Sequence, residues 1–294
     1  MISEKKIDNF SWFLLVIISL IWGCSFILIK KSLVAFSPVQ LGCLRLGISS
    51  VAFSPVIIYY RKEIEWKRFF TFVLAGLTGS GIPAFLFAIA QTRVTSSVAG
   101  MLNSMTPIWT LILGGIFFST GFSRLKVTGV LSGFVGASAL LWYGGGQNKM
   151  GVEPFYGFLI LIATLCYGLS VNIVQHYFKT TKPLIISALS FFSIGIPALV
   201  FLFTTNFIFV LQTHEEAASS LLSVVVLSIF GTVIASVLFY QLVQRTNAVF
   251  GSSVTYFMPV VALGWGIADQ EVIGFIHILA MLFILFGVYL IKRD

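Results

Sequence analysis

Ser11 to Ile29, Phe69 to Thr92, Val94 to Ser123 and Thr246 to Ala268 are four stretches without a charged residue. A helix needs about 20 apolar residues to cross the hydrocarbon core of a bilayer. The sequence predicts ten such spans, at 11–30, 39–60, 69–91, 95–118, 124–143, 154–175, 184–205, 219–243, 248–268 and 271–291. They take up most of the 294 residues and leave no room for a soluble domain. Composition agrees. Only 10% of the residues are charged and 58% are hydrophobic, whereas a soluble domain carries about 25% charged residues. The expected fold is an all-α integral membrane protein with ten transmembrane helices.

The first span follows Lys5 and Lys6, as the core of a secretion signal would. It is longer than such a core and ends at Lys30-Lys31 without a small-residue cleavage pattern, so it reads as a retained span. The net charge of +8 is distributed by loop. With the N-terminus in the cytoplasm, thirteen of the 18 Lys and Arg residues fall inside, four fall outside, and Arg45 lies within a span. The positive-inside rule therefore places both termini in the cytoplasm. Lys30 and Lys31 are two positives on the outer side. The charge is a topological signal and not a nucleic-acid surface. Cys24, Cys43 and Cys166 all lie inside spans and have no metal-ligand spacing, so neither a disulfide framework nor a metal is expected.

Shifting the chain against itself by 152 residues places Pro107 on Pro259, Arg93 on Arg245, Gly79 on Gly231 and Gly114 on Gly266. Asn103 falls on Thr255. At a different offset, "WGCS" at 22–25 resembles "YGLS" at 167–170, and Pro38 and Pro183 each open the second span of a half. Each half then holds five helices, over residues 1–147 and 148–294. Five is odd, so the second half enters the membrane from the opposite face. This is an inverted-topology repeat, a construction of secondary transporters.

Proline inside a helix removes a backbone donor and crowds the carbonyl four residues earlier. Here those carbonyls belong to Asn103 and Thr255. In lipid a freed carbonyl needs protein, water or a ligand. The stripe Ser96, Gly100, Asn103, Pro107, Thr110, Gly114 is small or polar at helical spacing, as is Ala248, Ser252, Thr255, Pro259, Ala262, Gly266. Such faces turn inward, either for tight packing or to wall a wet cavity. Asn103, Thr106, Thr255 and Tyr256 favour the cavity.

The segments "SLIWGCSFILIKKSL" (19–33), "SPVQLGCLRLGISS" (37–50), "LNSMTPIWTLILG" (102–114) and "TYFMPVVALGWGIADQE" (255–271) resemble the EamA family of the drug/metabolite transporter superfamily. Pro38 and Arg45 look like the family's second span, and Glu271 matches the acid that follows its ninth. The first half departs from the pattern, with Thr120-Gly121 where the acid would stand. The resemblance covers nearly the whole chain. It implies a ten-helix, inverted-repeat carrier of small metabolites, often directed outward, with a central cavity.

Arg45 is the sharpest single signal. A central arginine costs about 2.5–3.5 kcal/mol on insertion scales, so it needs a partner. Structure or gating is favoured over substrate contact, because the resembled family shares the arginine whatever its substrate. Pro107, Pro259 and Glu271 join it as structural or gating candidates. Trp22 with Ser25, and Tyr167 with Ser170, share helix faces and suit either aromatic packing or paired cavity walls. Asn172 ranks lower. Tyr240, Gln241 and Gln91 end their spans and read as interfacial residues. His277 is the one histidine well inside a span. Asp269 and Glu271 sit where acids cap a helix start. Gly129, Gly133, Gly136 and Ala137 are spaced for close helix contact, within the half or across a homodimer face.

The expected function is a secondary transporter of the inner membrane, moving a small metabolite such as an amino acid outward by alternating access. A lipid or lipid-carrier flippase and a passive channel are the alternatives. No H-E-x-x-H, G-x-S-x-G or phosphate-loop motif occurs, so an enzyme and a cofactor are not expected.

Overall fold

The structure, a computed structural model, describes residues 8–118, 123–144 and 153–293. The expected junction of the halves and the Thr120-Gly121 position lie outside these residues. Regular structure among the described residues is entirely helical. Continuous apolar runs permit little else, because lipid offers backbone groups no partner and a helix satisfies them within one segment.

Among the described residues, nine helices are long and apolar enough to cross a bilayer. They are Asn9–Ser32, Pro38–Tyr60, Trp66–Ala90, Ser96–Phe118, Arg124–Trp142, Pro154–Tyr177, Pro183–Leu202, Ala217–Arg245 and Ala248–Ala268. The tenth expected span is a shorter apolar helix, Phe275–Ile291. It starts after 271 because Gln270 turns into the left-handed region at φ 58 and Glu271 is drawn to another helix. A short helix, Phe207–Thr213, links the seventh and eighth spans and was not expected. The outward faces are apolar, with Phe70, Trp142 and Phe275 largely exposed, as a lipid-facing surface requires.

The helices pair in swapped sets. The first span packs on the ninth and the sixth on the fourth. The first also packs on the eighth, and the sixth on the third. The second and seventh pack together, as do the fifth and tenth. These contacts between the halves thus recur with the halves exchanged.

The fifth-span glycines take part in this pairing. A Cβ on Gly129 would run into the Gly287 carbonyl, and one on Gly136 into the Ala280 carbonyl. Their partner is the tenth span, in the other half of the same chain. The face on which sequence allowed a homodimer is therefore already occupied.

The fourth and ninth spans are interrupted. The fourth is helical over Ser96–Asn103, breaks at Ser104 and Met105, and resumes over Thr106–Phe118. The ninth is helical over Ala248–Ser252, tightens to a 3-10 turn over Ser253–Tyr256, and resumes at Met258–Ala268. Each restart begins one residue before Pro107 or Pro259, where a proline needs no N–H partner. The freed carbonyls do not wait for water. Thr106 Oγ1 donates to the Asn103 carbonyl at 2.9 Å, and Ser104 Oγ donates across the halves to the Thr255 carbonyl at 2.9 Å. Of the partners such carbonyls can take, protein hydroxyls supply one to each.

A second pair of irregularities lies in the third and eighth spans. Leu77–Gly81 and Ile229–Ile234 each widen to i→i+5 hydrogen bonding. Such wide turns are rare and concentrate at functional sites. The two begin 152 residues apart, the same shift that aligns the prolines.

Candidate functional site

The wide turns and the helix breaks meet at one cavity of about 90 Å³, halfway along the spans. That is room for several waters. Both halves contribute matching walls. Trp22 and Ser25 come from the first span, Tyr167 and Ser170 from the sixth. Asn103 and Thr106 come from the fourth, Ser252 and Thr255 from the ninth. The wide turns add Gly79 and Ser80 on one side and Gly231 and Thr232 on the other.

Close approach at the wide turns requires glycine. A Cβ on Gly79 would lie 2.5 Å from Ser170 Oγ, and one on Gly231 would lie 2.8 Å from Ser25 Oγ. The "WGCS" and "YGLS" serines thus face equivalent glycines of the opposite half. Trp22 Nε1 donates to the Gly231 carbonyl at 2.8 Å, a group the wide turn leaves accessible. Its ring tilts against Phe239 with centroids 4.9 Å apart. Ser170 Oγ donates to the Ala75 carbonyl at 3.1 Å.

Arg45 reaches the cavity from the second span and is 9% exposed. Its Nε donates to Thr232 Oγ1 at 2.9 Å. Among the described residues it has no carboxylate partner, and no Asp or Glu lines the cavity. Asn103 is buried, with Nδ2 3.6 Å from Met258 Sδ and Oδ1 without a partner among the described residues.

The chain's similarity to known proteins follows the same duplication. Its sequence matches the EamA-like transporter family twice, over residues 9–142 and 155–293. The chain belongs to the EamA-like transporter family. An uncharacterized transporter of Archaeoglobus fulgidus is 24% identical over 96% of this chain and 98% of its own length. A probable amino-acid metabolite efflux pump of Salmonella typhimurium is 25% identical, covering 92% of this chain and 93% of the pump. The uncharacterized inner membrane transporter YedA of Escherichia coli is 23% identical over 92% of this chain and 87% of YedA. A solved crystal structure with 16% identity superimposes with a TM-score of 0.67, each chain being 97% covered, and shares the fold. The chain is thus a multi-pass membrane protein of a transporter family.

Within this EamA-like frame, seven of the eight residues expected to wall a cavity line it together: Trp22, Ser25, Asn103, Thr106, Tyr167, Ser170 and Thr255. Tyr256 does not. Its hydroxyl donates to the Val288 carbonyl at 3.1 Å, in the tenth span. The tight turn over Ser253–Tyr256 rotates successive residues by about 120°, which carries Tyr256 away from Thr255. Tyr240, expected at an interface, is 5% exposed and lines the cavity instead. Sequence reading also passed over Thr232, Ser80 and Phe239. Thr232 and Ser80 follow the aligned glycines directly, so the repeat shift itself was a usable signal for them.

Asn172 is a strut, with Nδ2 donating to the Thr110 and Gly168 carbonyls at 2.9 and 2.8 Å. His277 Nδ1 accepts the Gly274 N–H at 3.1 Å at the start of the tenth span. Gln91 is buried, and neither amide atom has a partner.

Glu271 caps a helix start, but that of the fourth span. Its carboxylate accepts the Ser96 and Ser97 N–H groups at 2.9 and 3.0 Å and both hydroxyls at 2.7 and 2.6 Å. Lys30 Nζ adds a bond at 3.0 Å and pairs with Asp269. Lys30 thus meets two carboxylates at its own end of the spans. Burial raises the Glu271 pKa, but the bonds from Ser97, Ser96 and Lys30 outweigh it and bring the carboxyl down to about 2.

Proposed function

We propose that this chain is a secondary transporter that moves a small metabolite, an amino acid or a related compound, outward across the inner membrane. One observation carries the reading: a cavity halfway along the spans is walled by equivalent residues of both repeats, beside two interrupted helices. A site between the repeats near the bilayer midplane is what alternating access uses. The Salmonella relative's name supports the substrate class. The distribution of Lys and Arg supports cytoplasmic termini.

Mechanistically, halves 1–147 and 148–294 rock about the cavity. The breaks before Pro107 and Pro259 are its hinges, since each proline donates no main-chain hydrogen bond and the i→i−4 ladder is interrupted there. Trp22, Ser25, Asn103, Thr106, Tyr167, Ser170 and Thr255 contact substrate. Glu271 with Lys30 ties the outer ends of the first, fourth and ninth spans, and its release accompanies outward opening. Arg45 shares the positioning of the second and eighth spans.

The test is counterflow of labelled amino acids in vesicles containing the purified protein. Saturable uptake that is accelerated by unlabelled substrate inside supports a carrier. Flux that never saturates indicates a passive channel, and movement of labelled phospholipid between leaflets indicates a flippase. Pro107→Ala with Pro259→Ala should slow counterflow without weakening binding; unchanged counterflow removes the hinge role.

A further inference from the structure

We propose that Arg45 is an anion subsite, and that the transported molecule is a small carboxylate with an apolar body. The inference rests on the carrier reading above and specifies its substrate.

Among the described residues, Arg45 is the one formally charged side chain in the cavity wall. Of its N–H groups, only Nε–H has a partner among the described residues, and that partner is the neutral Thr232 hydroxyl. Several other basic groups meet carboxylates: Lys30 with Asp269 and Glu271, Lys182 with Glu63, Arg245 with Asp8. A cation held away from water and from counter-charge is costly unless something in the cavity completes it. The guanidinium fork fits a carboxylate through two parallel hydrogen bonds.

Positioning of the second and eighth spans does not by itself explain the arginine. Arg45 stands seven residues after Pro38, which opens the second span, and seven residues after Pro183 the seventh span carries Ser190. Its partner Thr232 has Ser80 as its counterpart at the 152-residue shift. The second copy of this helix pair is therefore built without a charge. The asymmetry points to a ligand, because packing alone would be served by the smaller residue on both sides.

The remaining wall suits the rest of such a molecule. Trp22, Phe239 and Tyr167 present ring surfaces to an apolar body. Asn103 Oδ1, buried and unpartnered, can accept a hydrogen bond from an amino group. A cation without a carboxylate meets Arg45 with no acid in the wall to offset the repulsion.

The experiment uses the full-length protein purified in detergent, with 3-phenylpropionate, L-phenylalanine and phenethylamine as probes. These share a phenyl body and carry a carboxylate, both groups, or an amine alone. Both carboxylates should raise the Tm and phenethylamine should not. In Arg45→Ser, the residue at the equivalent place in the other half, the dissociation constant for 3-phenylpropionate should rise at least about tenfold. Arg45→Lys, which keeps the charge, should recover part of the loss. Stabilisation by phenethylamine as strong as by the carboxylates overturns the proposal. So does the absence of a carboxylate shift, or equal binding by folded Arg45→Ser. If Arg45→Ser does not fold, Arg45→Lys decides: wild-type shifts by the amine and the carboxylates alike would overturn the proposal, and a carboxylate-only shift weakened in Arg45→Lys would support it. Saturable counterflow of an amine or a sugar, unchanged in Arg45→Ser, overturns the subsite and leaves the carrier standing. Carboxylate binding lost in Arg45→Ser, with no compound crossing vesicles, leaves the subsite and overturns the carrier.

Discussion

Glu271 and Ser97 are 174 positions apart and share two hydrogen bonds, from the Ser97 N–H at 3.0 Å and from its hydroxyl at 2.6 Å. The acid that follows the ninth span thereby closes the N-terminus of the fourth, the other interrupted helix. Carboxylates are favoured at helix N-termini because unbonded N–H groups converge there. With Lys30 the cluster joins three spans at one end of the cavity.

Replacing the carboxylate tests that joint. In Glu271→Gln the amide nitrogen cannot accept a bond, so one side of the cluster loses its acceptor. The loss should destabilise the protein by on the order of 2 kcal/mol, the scale of a hydrogen bond to a charged group. Thermal unfolding of the two purified proteins measures it. A Tm equal to wild type would show the cluster to be incidental.

The same carboxylate sets an acid limit. Its folded pKa is lowered from 4.5 to about 2. A depressed acid contributes stability above its unfolded pKa and loses it as pH falls toward the folded value. The Tm difference between wild type and Glu271→Gln should stay constant from neutral pH down to about 5, shrink below about 4.5 and vanish near 2. A difference that persists unchanged at pH 3 would contradict the assignment.

Gly79 marks the clearance between the third and sixth spans. Gly79→Ala places a methyl 2.5 Å from Ser170 Oγ and 3.4 Å from Ser170 Cβ. Overpacking should cost about 1–3 kcal/mol and reduce ligand binding. Adding Ser170→Ala removes the nearer atom and should restore stability. A double variant no more stable than Gly79→Ala alone would refute the contact.

Gly129 and Gly287 bring the fifth and tenth spans together through their backbones. Gly129→Leu meets carbonyl rather than a yielding side chain and should lower the Tm strongly. Because this contact is remote from the cavity wall, residual folded protein should bind ligand with unchanged affinity. A wild-type Tm would argue against this packing.

Legibility in the sequence followed the range of the interactions involved. Pro107 and Pro259 disclosed the two helix breaks because the disruption is local to each proline. They did not disclose the carbonyls' partners, since the hydroxyl that donates to the Thr255 carbonyl belongs to Ser104, 151 residues away. Tyr256 was misplaced because it was grouped with its neighbour Thr255, whereas successive helical residues point about 100–120° apart. Tyr240 was placed at an interface by counting from the span end. The eighth span, at 29 residues, is longer than a perpendicular crossing needs, so distance from its end is a poor measure of depth.

The sequence by itself determined the solvent, the helices and the duplication. Uncharged runs require lipid, lipid requires each segment to satisfy its own backbone, and the recurrence of Pro and Gly at one shift records the repeat. Tertiary structure alone decided which faces meet, that Thr232 holds Arg45 across 187 residues, and that Glu271 caps a helix other than its own. Periodicity along a helix reports which side turns inward. It does not name the partner found there, because that choice depends on how the helices pack against one another in space.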